Sequence, residues 1–347
     1  MLIRYGRLEL IDSPLIDAVY IPLPNGLHYE WALKSLRAGK HVLLEKPSVS
    51  NAIEATSLFR HELLKQPKAP VLLEAFHSFF HPAVHTFLSH LSPPDINTAH
   101  VEFTVPFFII PKDDIRYKYD LSGGAVMDLG SYTSLFLRNI FKAEPEECIE
   151  AEPRFMPKGY DQKCDQAFRA KWRWPNGGIG SMSVDMYANF IIQVPCGWPK
   201  CGIPIADVVH KETVISDESF LEGSGKEHVL VKKVTMWNMM IPVVWHRIDV
   251  TSTHTIRTIS DKKILKAWVE KESHKAYTWP EDKKATGDPG WTTYRHQLEQ
   301  FVNRVKGREG SGVWVSSEDS IRQMEMIDSA YTKAGIDLRP TSSFQLE

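Results

Sequence analysis

The sequence predicts a small parallel α/β unit followed by a larger, mostly antiparallel α+β unit. Up to residue 76, short apolar runs alternate with amphipathic stretches, the pattern of parallel strands joined by crossover helices. After about residue 95 the apolar runs lengthen and are separated by turns, the pattern of an antiparallel sheet. Two helical stretches follow.

Taken in order, residues 5–13 read as a short helix that stops before Pro14. Residues 17–21 are β-branched and apolar between charge and the prolines Pro22 and Pro24, so they form a buried strand. Trp31, Ala32 and Leu36 recur at helical spacing, making 29–38 a helix that Gly39 ends. Residues 41–44 are a second buried strand, 51–64 an amphipathic helix and 71–76 a third strand. Further strands are expected at 99–103, 167–172, 179–186, 229–237, 241–250 and 263–268. Pro175-Asn176-Gly177-Gly178 marks a hairpin between two of them. A glycine turn and a helix fill 122–141, and helices are expected at 295–306 and 318–334. The division this implies is residues 1–90 and 91–347.

Composition narrows the partners. The chain is 43% hydrophobic and 24% charged with a net charge of −2, which offers nothing to nucleic acid or an anionic membrane. No signal-peptide pattern and no apolar run of spanning length appears, so a cytoplasmic location is expected. The four cysteines lack zinc-ligand spacing and fit reduced thiols, although Cys196 and Cys201 could pair across the turn between them. His28, His77 and His81 fall near one sheet edge, but loop positions give no shared face, and no metal is expected. Gly223-x-Gly225 and Gly310-x-Gly312 read as loops.

Three residues carry the candidate chemistry. Lys46 follows a buried strand at the carboxyl end of the parallel sheet, where such folds place ligands. It serves there as a proton donor, or else as a strand-end lysine paired with an acid. Asp128 and Tyr132 lie four apart, on one helical face, and a phenol beside a carboxylate and a lysine is suited to proton transfer. The plainer reading of Asp128 is a helix cap.

Seven stretches together resemble the Gfo/Idh/MocA oxidoreductases, in the manner of NADP-dependent fungal D-xylose dehydrogenases and dimeric dihydrodiol dehydrogenases. They are DAVYIPLPN-x-LH (17–28), AGKHVLLEKP (38–47), LLEAF (72–76), LSGGAVMDLGSY (121–132), WPNGGIG (174–180), WHRIDV (245–250) and YRHQLEQFVNRVKG (294–307). The resemblance implies an incomplete Rossmann-like sheet, then a large open-faced sheet, with substrate between them and a homodimer as the assembly. It implies a site role for Lys46, Asp128 and Tyr132, and a cofactor-side loop at Pro24, Asn25 and His28. Two departures stand out. About 60 residues that carry the family's phosphate loop have no counterpart here, and Phe79 stands where relatives carry arginine.

These departures lead to an expectation of a cleft without a redox cofactor. Its walls are expected to be aromatic, from Phe79, Phe80, His77, Phe107 and Phe108, and its substrate a small apolar molecule. The expected reaction is redox-neutral, a cyclisation, isomerisation or pericyclic closure in secondary metabolism, driven by near-attack positioning. The alternative is an NADP-dependent dehydrogenase of a sugar or a trans-dihydrodiol. A non-catalytic binding protein is a third reading.

Overall fold

The computed structural model describes residues 7–188, 202–215, 225–280 and 287–346. Cys196, Cys201 and Gly223 lie outside them. Helix α1 (Arg7–Asp12) leads into three parallel strands, β1 (Ala18–Ile21), β2 (His41–Glu45) and β3 (Leu72–Ala75), ordered β1-β2-β3. Val42 and Leu44 of the middle strand are fully buried, as an apolar run covered on both faces requires. The first crossover, α2 (His28–Arg37), ends where Gly39 takes a left-handed φ of 74°. The second, α3 (Ala52–Phe59), starts at Asn51, whose side chain accepts from Glu54 N. It is shorter than the 51–64 expected. His61 takes an extended conformation and its imidazole accepts from Leu63 N, so a local side-chain bond replaces the helical ladder.

One helix escaped the sequence reading. After β3 the chain makes a 3-10 turn (His77–Phe80) and enters α4 (Pro82–Ser89), with His81 as cap and Pro82 at the first helical position.

The second sheet has the order β12-β11-β10-β8-β4-β7-β6-β5, with the short β9 (Thr213–Val214) paired to β10. Its members are β4 (Ile96–Pro106), β5 (Glu147–Phe155), β6 (Asp165–Arg173), β7 (Ile179–Ala188), β8 (Ile205–His210), β10 (Lys226–Trp237), β11 (Arg247–Thr258) and β12 (Ile264–His274). All neighbours are antiparallel except β4 and β7. The strand expected at 241–250 begins only at Arg247. Ahead of it Asn238, at a left-handed φ of 56°, closes a turn by donating to Trp245 O at 2.6 Å and Ile241 O at 3.0 Å. The 174–178 hairpin forms as expected, with Gly177 at φ 79°.

Helix α5 (Ser131–Phe141) is buried along nearly its whole length against β4 and β7, and α7 (Ser317–Lys333) packs on α5, β5 and α3. Apolar burial runs unbroken from Leu44 through Phe136 of α5 to Trp172 and Met182. Residues 339–342 return to α3: Asn51 Nδ2 donates to Arg339 O at 3.0 Å and to Thr341 Oγ1 at 2.8 Å, while Glu54 accepts from Ser342 N. No described helix is long and apolar enough to cross a membrane.

Helix α6 (Thr293–Val305) packs over the 77–80 turn and buries a histidine cluster. The His81 ring lies 5.2 Å from that of His296 and 5.8 Å from that of His246. Burial pushes His81 down to about 3 and His296 to about 4, and it holds His28 at about 4. These rings are neutral when folded, whereas in the unfolded chain they take protons below about pH 6.5. Stability should therefore fall as pH drops below that value, by up to about 1.4 kcal/mol per pH unit for each ring. Buried Glu74, raised to about 7, and Asp328, raised to about 6, work the opposite way and are outnumbered. Urea midpoints should be lower at pH 5 than at pH 7, and a His81→Gln, His296→Phe variant should show a shallower decline. A midpoint independent of pH across that range would contradict this.

Candidate active site

The carboxyl ends of the three parallel strands open on a cavity of about 910 Å³. The end of β1 supplies Pro22, Leu23 and Asn25, β2 supplies Glu45 and Lys46, and the turn after β3 supplies His77. From the other side, the Gly123-Gly124 turn feeds a single π-helical turn (Val126–Gly130) that presents Asp128, and α5 presents Tyr132 one turn later. Lys46, Asp128 and Tyr132, distant in sequence, thus meet in one wall.

Asp128 is held from two directions. Lys46 Nζ donates to its Oδ1 at 2.7 Å and its backbone oxygen at 2.8 Å, and Arg116 Nε donates to Oδ2 at 2.9 Å. Burial alone would raise this carboxyl, but Lys46 and Arg116 outweigh it and hold it below the usual range. Asp128 raises the Arg116 guanidinium in turn, against the pull of burial. The Lys46 ammonium also sits 4.6 Å over the Tyr132 ring. Burial raises the Tyr132 phenol well above its ordinary value, so it is a protonated donor at neutral pH. Its ring edge is fixed by Phe76, His77 and Phe103.

His77 lines the cavity as expected. Its Nδ1 lies 2.8 Å from Thr293 Oγ1 and its ring stacks on Tyr294 at 4.0 Å. Burial, with Lys46 nearby, pushes it down to about 3, so it is neutral.

Other expected wall residues lie elsewhere. Phe80 is fully buried and Phe79 nearly so; Phe79 meets Phe80 and His85, not the cavity. Helices α4 and α6 both pack on this turn. Phe107 and Phe108 point outward, 41% and 62% exposed, because a turn after Pro106 swings them away and brings Ile109 and Ile110 over the cavity instead. Of the expected cofactor-side loop, Asn25 lines the cavity and donates to Ser122 O at 3.0 Å. Pro24 only starts the 25–27 turn, and His28 is wholly buried, its Nε2 2.7 Å from Leu23 O and its Nδ1 2.9 Å from Pro47 O, with the neutral ring donating to one of the two.

The sequence reading missed Arg116, Asp114, Thr293 and Tyr294. Asp114 caps a 3-10 turn by accepting from Arg116 N, an Asp-x-Arg signal visible in the sequence. Thr292 caps α6 by accepting from Arg295 N, which sets Thr293 and Tyr294 at a helix start facing the site.

Residues 7–69 match the family model described as the oxidoreductase family, NAD-binding Rossmann fold, and residues 95–191 match the Gfo/Idh/MocA C-terminal domain. A dTDP-3,4-didehydro-2,6-dideoxy-alpha-D-glucose 3-reductase of Saccharopolyspora spinosa is 38% identical over 136 residues, 39% of this chain and 40% of the relative. A D-xylose 1-dehydrogenase (NADP(+)) of Haloferax volcanii is 40% identical over 133 residues, 37% of this chain and 39% of the relative. The match therefore spans about two fifths of each relative's length. Among solved structures, a 3-ketoreductase from Actinomadura kijaniata in complex with NADP and TDP-benzene shares the fold, with a TM-score of 0.64 and 23% identity. That likeness covers 94% of this chain and 81% of the ketoreductase. These findings overturn the expectation of a fold without a cofactor: the matched model is a nucleotide-binding one and the structural neighbour holds NADP. They also favour redox chemistry over a cyclisation. Both parts of the chain are thus similar to models of the Gfo/Idh/MocA oxidoreductase family, in the order in which that family carries them.

Proposed function

We propose that this protein is an NADP-dependent oxidoreductase that interconverts a secondary alcohol and a ketone on a sugar or a trans-diol. The observation that carries the reading is the Lys46–Asp128–Arg116 network set beside a buried, protonated Tyr132 at the carboxyl ends of a parallel sheet. The nicotinamide end of NADP fits the side of the cavity formed by Pro22, Leu23, Asn25, Glu45 and Lys46, where strand ends meet open space. When bound, NADP supplies or accepts the hydride.

The protein's own residues manage the proton. In reduction, the Tyr132 hydroxyl donates to the oxygen of the carbonyl as it becomes an alkoxide, and the adjacent Lys46 ammonium stabilises the phenolate left behind. In oxidation the phenolate takes the proton back. Asp128, doubly paired and ionised, fixes the ammonium against the ring, and Arg116 fixes Asp128. His77, neutral, presents a hydrogen-bonding ring to a substrate hydroxyl.

A homodimer also belongs to this reading. It is supported by β12, an edge strand of the large sheet whose Ile264, Leu265 and Val269 are exposed; an unpaired edge invites a second strand.

The test is NADPH fluorescence titration of the purified chain, with NADP+-dependent oxidation of D-xylose and of trans-cyclohexane-1,2-diol measured in parallel. Saturable binding and turnover of either alcohol are expected. A folded chain that shows neither binding up to about 1 mM nor turnover would overturn the reading.

A further inference from the structure

The cavity's lining holds a few charged groups among many hydrocarbon side chains, and its cations are already paired. Among the described residues, its lining holds three carboxylates, Glu45, Asp114 and Asp128, against two cations, Lys46 and Arg116. Both cations are committed. Lys46 is 2.7 Å from Asp128, while Arg116 is 2.9 Å from Asp128 and 3.0 Å from Asp114. A phosphate or diphosphate entering here meets one net negative charge, and both cations already face carboxylates.

The lining also holds Phe103, Val105, Ile110, Met240, Ile241 and Val243. These residues come from β4, from the segment that follows it, and from the Asn238 turn. Ile241 is 56% exposed at the cavity's edge, an apolar surface that a ligand would cover.

We propose, resting on the dehydrogenase reading, that the site takes an uncharged alcohol or ketone carrying a hydrocarbon or aromatic flank, and that it rejects nucleotide-linked and phosphorylated sugars. The reacting carbon faces Tyr132 and Lys46. The flank lies against Val105, Met240 and Ile241, and the absence of an uncommitted cation among the described lining residues excludes the charged substrates.

Equilibrium binding tests this without requiring turnover. Isothermal titration calorimetry compares phenyl β-D-xylopyranoside with D-xylose, and dTDP serves as a competitor. Phenyl xyloside should bind at least about tenfold more tightly than xylose, the gain expected from burying a phenyl ring. dTDP should fail to displace it. Ile241→Asp, a change at an exposed position, should bring the two sugars within about twofold of each other by charging the apolar wall. Equal binding of the two sugars, displacement by dTDP, or no binding of any probe to folded protein would each overturn the proposal. A phenyl preference that persists with no NADPH-coupled turnover would instead count against the dehydrogenase reading alone.

Discussion

Tyr132→Phe should lower NADPH-coupled turnover by about 10²- to 10⁴-fold, the range for removing a positioned proton donor. No described residue hydrogen-bonds the Tyr132 hydroxyl, and the ring's packing against Phe76, His77 and Phe103 is kept by phenylalanine. The thermal midpoint should therefore stay where it is, and substrate binding should change little. Lys46→Met should cost activity to a similar degree but behave differently in folding. It leaves the Asp128 carboxylate paired with Arg116 alone in a mostly buried setting, so the carboxyl should titrate at higher pH. Steady-state kinetics with a melting curve for each variant check both statements. If Tyr132→Phe retains a tenth or more of the wild-type rate, the phenol is not the proton donor.

Arg339→Met should be the most destabilising of the single changes considered, by about 3–5 kcal/mol, because it strands a buried carboxylate. Arg339 and Asp165 are both essentially inaccessible to solvent and form an ion pair. Asp165 also accepts from Val126 N at 2.8 Å and from Tyr331 at 3.1 Å, and Arg339 Nε donates to Gly123 O at 2.6 Å. Burial works to lower the guanidinium, but Tyr331 and Asp165 outweigh it and raise it further. The pair clamps the Gly123-Gly124 turn that leads to Asp128. Gly124 sits at φ 129°, and a Cβ there would strike both charged groups. Urea denaturation should show the loss. The double variant Arg339→Met, Asp165→Asn should recover more than half of it, since no unpaired charge remains buried. A single variant within about 1 kcal/mol of wild type would show the clamp to be dispensable.

Much of the site was legible in the sequence, and what was not has identifiable causes. The strand-end position of Lys46 and the four-residue spacing of Asp128 and Tyr132 are local signals, and the fold brings the three together as local structure predicts. Arg116 was passed over because the Asp-x-Arg signal marks only a local turn, while its partner Asp128 lies twelve residues away, across a stretch that periodicity does not describe. Phe79 was misplaced because the resemblance put it at a cleft position where relatives carry arginine, while α4, which packs on its turn, had gone unseen. Strand β5 escaped because an edge strand tolerates Pro153 and shows only weak apolar alternation. The absence of a cofactor was inferred from a missing motif, and a missing motif is weaker evidence than the matched remainder of the same domain.

The return of residues 339–342 to α3 has a consequence for biosynthesis. The bonds from Asn51 to Arg339 and Thr341, and from Ser342 to Glu54, join partners separated by 288 to 290 positions. A ribosome delivers the small parallel sheet before the large one, yet this side of α3 stays unstitched until residues 339–342, 288 to 290 positions later, have emerged. Contacts so distant in sequence close slowly, and the exposed helix surface is available to chaperones while the intervening residues are made.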